Sequence, residues 1–210
     1  MKKTLIAIAA IAAMGAASAQ VSVSGKLDVG ASGTGSTGGS VKSGVWETSR
    51  LILSGNQDFV DGMKGGVYLE GGFGGDTSTA SFSGFGRQAY VSLSGGLGKV
   101  DLGAFWSPID TALWYSDAME YNGFSTMYGG VDTGNNAQAN VAGAIQYTSP
   151  TAGGFTLQAV TAPNGGAATN QNYGGAGVTY AQGPLLINAA FQSYKTATNS
   201  TSAGTVIALN

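Results

Sequence analysis

The sequence predicts an all-β protein, a transmembrane antiparallel β-barrel, and three observations carry that prediction. Ten segments alternate in polarity with a period of two. Their connections alternate between short and long. Many segments also place glycine, alanine, serine and threonine on one face, where a soluble sandwich core needs bulky apolar side chains.

The chain opens on a segment of another kind. Lys2 and Lys3 precede an apolar run from Leu5 to about Ala17, and Ala17-Ser18-Ala19 forms an A-x-A cleavage site before Gln20. The run is shorter than the ~20 residues a spanning helix needs. Residues 1–19 are therefore expected to be a secretory signal peptide, with 20–210 as the exported barrel segment. No later apolar run reaches spanning length as a helix.

The expected strands are 21–32, 44–57, 62–74, 82–95, 97–106, 138–149, 153–162, 171–182, 184–195 and 201–209. Short connections fall around 58–62, 95–96, 150–153 and 182–184. Long, polar, glycine-rich ones fall around 33–43, 75–81, 107–137 and 163–170. Short turns at one end and long loops at the other describe an up-and-down sheet of hairpins. Stretches such as "VAGAIQYTS" and "GAGVTYAQG" favour a wet interior over a packed one. The ten segments average about 19 residues with their connections, which suits ~9–11 residues per tilted membrane strand.

Composition narrows the chemistry. The 210 residues include no cysteine and no histidine, which excludes a disulfide framework, thiol catalysis and the commonest general base and metal ligand. Apart from Lys2 and Lys3, 7 basic residues face 11 acidic ones, a net of −4 with no basic cluster, so nucleic acid is not an expected partner. "GTGSTG" at 33–38 fits a dinucleotide-binding spacing, but no helical pattern follows it. No cofactor, metal site or catalytic group is expected. Asp117 and Glu120 lack a neighbouring nucleophile or oxyanion donors.

The chain holds two arginines, and both sit within strand-like runs, Arg50 in "ETSRLILSG" and Arg87 in "FGRQAYVSLSG". Leu51 and Leu53 claim the lipid face of their segment, which turns Arg50 inward. The reverse would place a guanidinium in hydrocarbon at ~2–4 kcal/mol. Val67, Leu69 and Phe73 likewise turn Glu70 inward. Counting back from the turns sets residue 50 opposite 70 or 71, and 70 opposite 87. Arg50, Glu70 and Arg87 are thus expected in one row across three strands, the carboxylate relieving repulsion between its neighbours. Val91 and Leu93 share the parity of Arg87. Arg87 is placed inside on energetic grounds, with Tyr90 toward lipid. The segment 106–139 is too long for a hairpin loop, and its aromatics argue against disorder. It is expected to fold into the barrel and bring Asp110, Asp117 and Glu120 against the arginine row, with an external, solvated loop as the alternative.

These stretches resemble the Gram-negative general porins of the trimeric, beta-proteobacterial type. The likeness rests on "TSRLILSGNQDFVDGMKGGVYLEGGFG", "FGRQAYVSLSGGLGKVDLG", the following "WSP", and "AIQYTSPTAGGFTLQA". The resemblance implies a 16-stranded barrel, of which this chain supplies nine or ten strands as an N-terminal portion. It also implies a homotrimer in the outer membrane that passes small hydrophilic solutes and ions by diffusion. A non-conducting structural or adhesive barrel is the alternative. By match, Arg50, Glu70 and Arg87 correspond to constriction residues, and 106–139 to the loop that enters the channel. Two departures thin the positive wall: Ala104, expected opposite Arg87, and Asn140 each stand where the family commonly has arginine.

Overall fold

The computed structural model describes residues 20–34, 38–76, 82, 84–119, 122, 139–163, 170–196 and 201–209. The expected signal peptide and Glu120 lie outside the described residues. Strands β1 (Gln20–Lys26), β4 (Arg50–Asp58), β5 (Lys64–Gly72), β6 (Gln88–Gly95), β7 (Gly98–Trp106), β8 (Asn140–Thr148), β9 (Phe155–Ala162), β10 (Asn170–Gln182), β11 (Leu185–Thr196) and β12 (Thr201–Leu209) form one ten-stranded sheet in that order. The strand pairings within it are antiparallel. Among the described residues β1 and β12 are its two edges, so the sheet is not closed on itself.

The ten expected strands map onto these ten, with two differences near the start. The run expected as one strand over 21–32 breaks at Leu27-Asp28, because the Asp28 carbonyl and carboxylate bond to loop groups instead of a neighbouring strand. Beyond the break the rest of that run forms β2 (Val29–Thr34), which pairs with β3 (Gly38–Ser43), a strand inside what was expected to be loop, as a separate hairpin. Of "GTGSTG", Gly33 pairs with Gly39 and Thr34 with Gly38, and 35–37 lie outside the described residues. The second difference is that β4 begins only at Arg50, leaving 44–49 irregular.

The register fixes the two faces. Paired residues in antiparallel strands share a face. One face therefore runs from Ser24 and Ile52 through Glu70, Gln88 and Tyr90 to Gly103, Ala144, Gln146, Val160, Gly175, Gln192 and Ala190. It carries the buried polar groups Glu70, Asp101, Gln146, Asn188 and Gln192. The opposite face carries exposed Val21, Val23, Val67, Val91, Leu93, Leu102, Ile145, Leu157, Phe191 and Ile207. Apolar residues outside and polar ones inside invert the pattern of a water-soluble sheet.

Directly after β7 the chain forms helix α1 (Pro108–Ser116). Its start is built from local chemistry: Ser107 Oγ accepts from the Asp110 amide at 3.1 Å, Pro108 opens the first turn, and Asp110 there complements the helix dipole. Ile109, Ala112 and Leu113 pack against Ala190 of β11 and against Ala139. Ala190 lies on the polar face, so α1 rests on that face of the sheet, along β10 to β12. Of the segment 106–139 expected to fold inward, residues 106–119, 122 and 139 are described and the rest lies outside the described residues.

Candidate functional site

Glu70 organises the inner face of β4 to β6. It is 2% exposed, and four side chains converge on its carboxylate. Arg87 Nε donates to Oε1 at 2.6 Å and Arg50 Nη1 to the same oxygen at 3.4 Å. The Tyr68 hydroxyl and Gln88 Nε2 donate to Oε2 at 2.9 and 3.2 Å. Both lone-pair sides of the buried carboxylate are thus occupied, the condition under which a buried charge is tolerated.

The expected Arg50–Glu70–Arg87 row exists, but by a different register. Arg50 stands opposite Gly72, and Glu70 is flanked by Ile52 and Gln88. The row closes because arginine side chains are long enough to reach diagonally. Arg87 itself precedes β6, in a bend, with its amide donating to the Glu70 carbonyl at 3.1 Å. Strand parity therefore does not bind it, and this resolves its conflict with Val91 and Leu93.

The placement of Tyr90 toward lipid is overturned by the same geometry. Tyr90 pairs with Tyr68 on the inner face and stacks on it with ring centroids 5.3 Å apart. Gly103 makes this possible: it lies opposite Tyr90 with φ 145°, and a Cβ there would fall 2.7 Å from the Tyr90 Cα. Ala104 is corrected as well. It pairs with Ala89 on the outer face and does not stand opposite Arg87. The group that covers Arg87 is Trp106, whose ring centroid lies 5.2 Å from the guanidinium carbon, a cation–π contact. Asn140 Nδ2 donates to the Arg87 carbonyl at 2.6 Å and steadies the bend.

Glu47 and Lys26 escaped sequence reasoning. Glu47 forms ion pairs with both Arg50 and Lys26. It sits in the irregular stretch before β4, where no periodicity assigns a face; the i, i+3 spacing to Arg50 was the available signal. Charges thus alternate across β1, β4, β5 and the start of β6 as Lys26, Glu47, Arg50, Glu70, Arg87. Beside the row opens a cavity of about 430 Å³, lined by Lys26, Asp28, Trp46, Glu47, Arg50 and, from the helix side, Trp114 and Asn122. The helix approaches the arginine wall through Trp114.

Of the expected loop acids, Asp110 occupies the first turn of α1 and Asp117 caps its C-terminus, and both are 8% exposed. Asp117 Oδ1 accepts from the Met119 amide at 3.0 Å. Among the described residues, the acids paired with the two arginines are Glu47 and Glu70. A second inward cluster lies further along the sheet, where Lys99 Nζ pairs with Asp101 at 2.8 Å beside Gln146 and Tyr90.

Comparison with known proteins agrees with this architecture. The Gram-negative porin family matches residues 4–210. Outer membrane porin protein 32 of Delftia acidovorans is 35% identical over 224 aligned positions, covering 94% of this chain and 61% of its own. Among solved structures, the anion-selective porin from Comamonas acidovorans superposes with a TM-score of 0.76 at 27% identity, over 91% of this chain and 62% of that one. An outer membrane protein of Vibrio cholerae in its trimer form shares the fold alone, with a TM-score of 0.56 at 14% identity over 91% of this chain and 71% of that one. The chain thus spans about three fifths of the length of the first two. With the family matched over nearly its whole length, an inverted-polarity antiparallel sheet and a helix folded against its inner face, the chain belongs to the Gram-negative porins, β-barrel proteins of the outer membrane.

Proposed function

We propose that this chain builds the wall of a water-filled channel through which small hydrophilic solutes and ions diffuse passively. The observation that carries the reading is the inner row of paired charges against an outer belt of exposed apolar side chains. Arg50, Glu70 and Arg87 form one side of the constriction. The segment 106–139 narrows it from the other side, carrying Asp110, Asp117 and Glu120 as an opposing acidic set. Residues 1–19 direct export and are removed. The assembled form is a homotrimer in the lipid bilayer, and its work is filtering by size and charge, without catalysis.

The matched Comamonas structure is that of an anion-selective porin. Three cations, Lys26, Arg50 and Arg87, against two carboxylates, Glu47 and Glu70, leave a single net positive charge on this wall. That charge by itself favours anions weakly, and the acids of 106–139 act against it. Purified protein from outer membranes, added to a planar lipid bilayer, is expected to give discrete, long-lived conductance steps. Stable insertion without such steps would favour a plugged, structural or adhesive barrel instead.

A further inference from the structure

The stretch between β3 and β4 is irregular, yet it is held by a dense set of bonds. The Asp28 carboxylate accepts from three consecutive amides: Val45 at 2.9 Å, Trp46 at 3.2 and 3.3 Å, and Glu47 at 2.9 Å. Ser49, only 1% exposed, accepts from the Asp28 amide at 2.9 Å and donates to the Asp28 carbonyl at 3.1 Å. Ser43 joins them, its hydroxyl 3.0 Å from that of Ser49. Three consecutive N–H groups turned onto one carboxylate fix the backbone on which Glu47 stands.

Glu47 differs from Glu70 in its contact with water. The Glu70 side chain is 3% exposed, whereas that of Glu47 is 21% exposed and lines the cavity beside Arg50. A buried, fully bonded carboxylate acts mainly on its partners. A carboxylate at the water boundary also acts on passing ions. Glu47 neutralises Arg50 and Lys26 where an ion would approach them.

We propose that Glu47 is a selectivity-determining residue of the channel, an acid that weakens its positive wall, and that Asp28 and Ser49 are the positioning residues that hold it there. This rests on the reading of Arg50 as a pore-lining residue. Removing the Glu47 charge takes the row from one net positive charge to two. For an ion passing about 7 Å away in water, one unit charge is worth ~0.6 kcal/mol, roughly halved by screening near 0.1 M salt. Because anions gain what cations lose, the permeability ratio shifts about threefold.

The test measures reversal potentials of the protein in planar bilayers under a potassium chloride gradient. Glu47→Gln is expected to raise the chloride-to-potassium permeability ratio about threefold near 0.1 M salt, with the shift fading near 1 M. Glu47→Asp keeps the charge and should stay close to the parent ratio, and Asp28→Asn should move it the same way as Glu47→Gln, by less. Arg50→Gln serves as the reference and should lower the ratio. A Glu47→Gln ratio equal to the parent, alongside a lowered ratio for Arg50→Gln, overturns the role of Glu47 and leaves the constriction standing. If Arg50→Gln is silent too, the constriction reading fails, and this proposal with it.

Discussion

Replacing Glu70 by glutamine asks how much of the wall depends on one carboxylate. Arg50 Nη1 and Arg87 Nε contact the same Oε1 at 3.4 and 2.6 Å, so these nitrogens are at most about 6 Å apart. Without the anion between them, two guanidiniums at that separation repel by about 1–3 kcal/mol, for an effective dielectric between bulk water and a protein surface. The loss of the charge-assisted bond at 2.6 Å adds about 2 kcal/mol. Two features offset part of this: Arg50 keeps Glu47, and Arg87 keeps the face of Trp106. The net expectation is about 2–4 kcal/mol of destabilisation. Urea unfolding of the detergent-solubilised protein reads the loss directly, as a lowered midpoint at unchanged slope. Bilayer recordings of the same variant should show a stronger chloride preference. An unchanged midpoint together with an unchanged reversal potential would refute the idea that Glu70 neutralises the two arginines.

The remaining predictions concern the two faces of the sheet and the helix inside it. Leu53→Arg points outward between Val23 and Leu69 and should cost ~2–4 kcal/mol in folding into lipid vesicles, whereas Ser54→Arg, one residue on and facing inward, should cost far less. Equal folding free energies would mean the faces are assigned wrongly. Gly177→Leu strikes the seat of α1: a Cβ there would fall 3.0 Å from the Pro108 Cβ, so the helix must lift from β10. That overpacking should cost ~1–3 kcal/mol and reduce the single-channel step. An unaltered step would mean that α1 does not bound the conducting path.

Much of the fold was legible because membrane strands obey a period of two and turns punctuate them. The ten segments and the inward direction of Arg50 and Glu70 follow from that rule, and lipid enforces it wherever Leu51, Leu53, Val67 and Leu69 face out. The rule failed where the backbone leaves the pleat. Arg87 stands in a bend, so carrying its inward placement along the strand misdirected Tyr90, which lies inside against Tyr68, as the outward Val91 and Leu93 require. The bulge between Gly103 and Phe105 conceals which of Ala104 and its neighbours face the lumen. Glu47 was illegible for a related reason: its position is set by Asp28 accepting three amides from a stretch with no period at all. Side-chain reach also repaired an error of one to two residues in register, since Arg50 meets Glu70 although it stands opposite Gly72.

The central claim is that Arg50 and Arg87 line the narrowest part of a conducting pore. Arg50→Glu combined with Arg87→Glu subtracts two charges at each position and takes the row from a net +1 to a net −3. Measured as a reversal potential under a potassium chloride gradient at low salt, the double variant should shift strongly toward potassium. Channels of normal step size whose reversal potential matches the parent would contradict the account, because a constriction lined by these two residues cannot ignore a change of four charges.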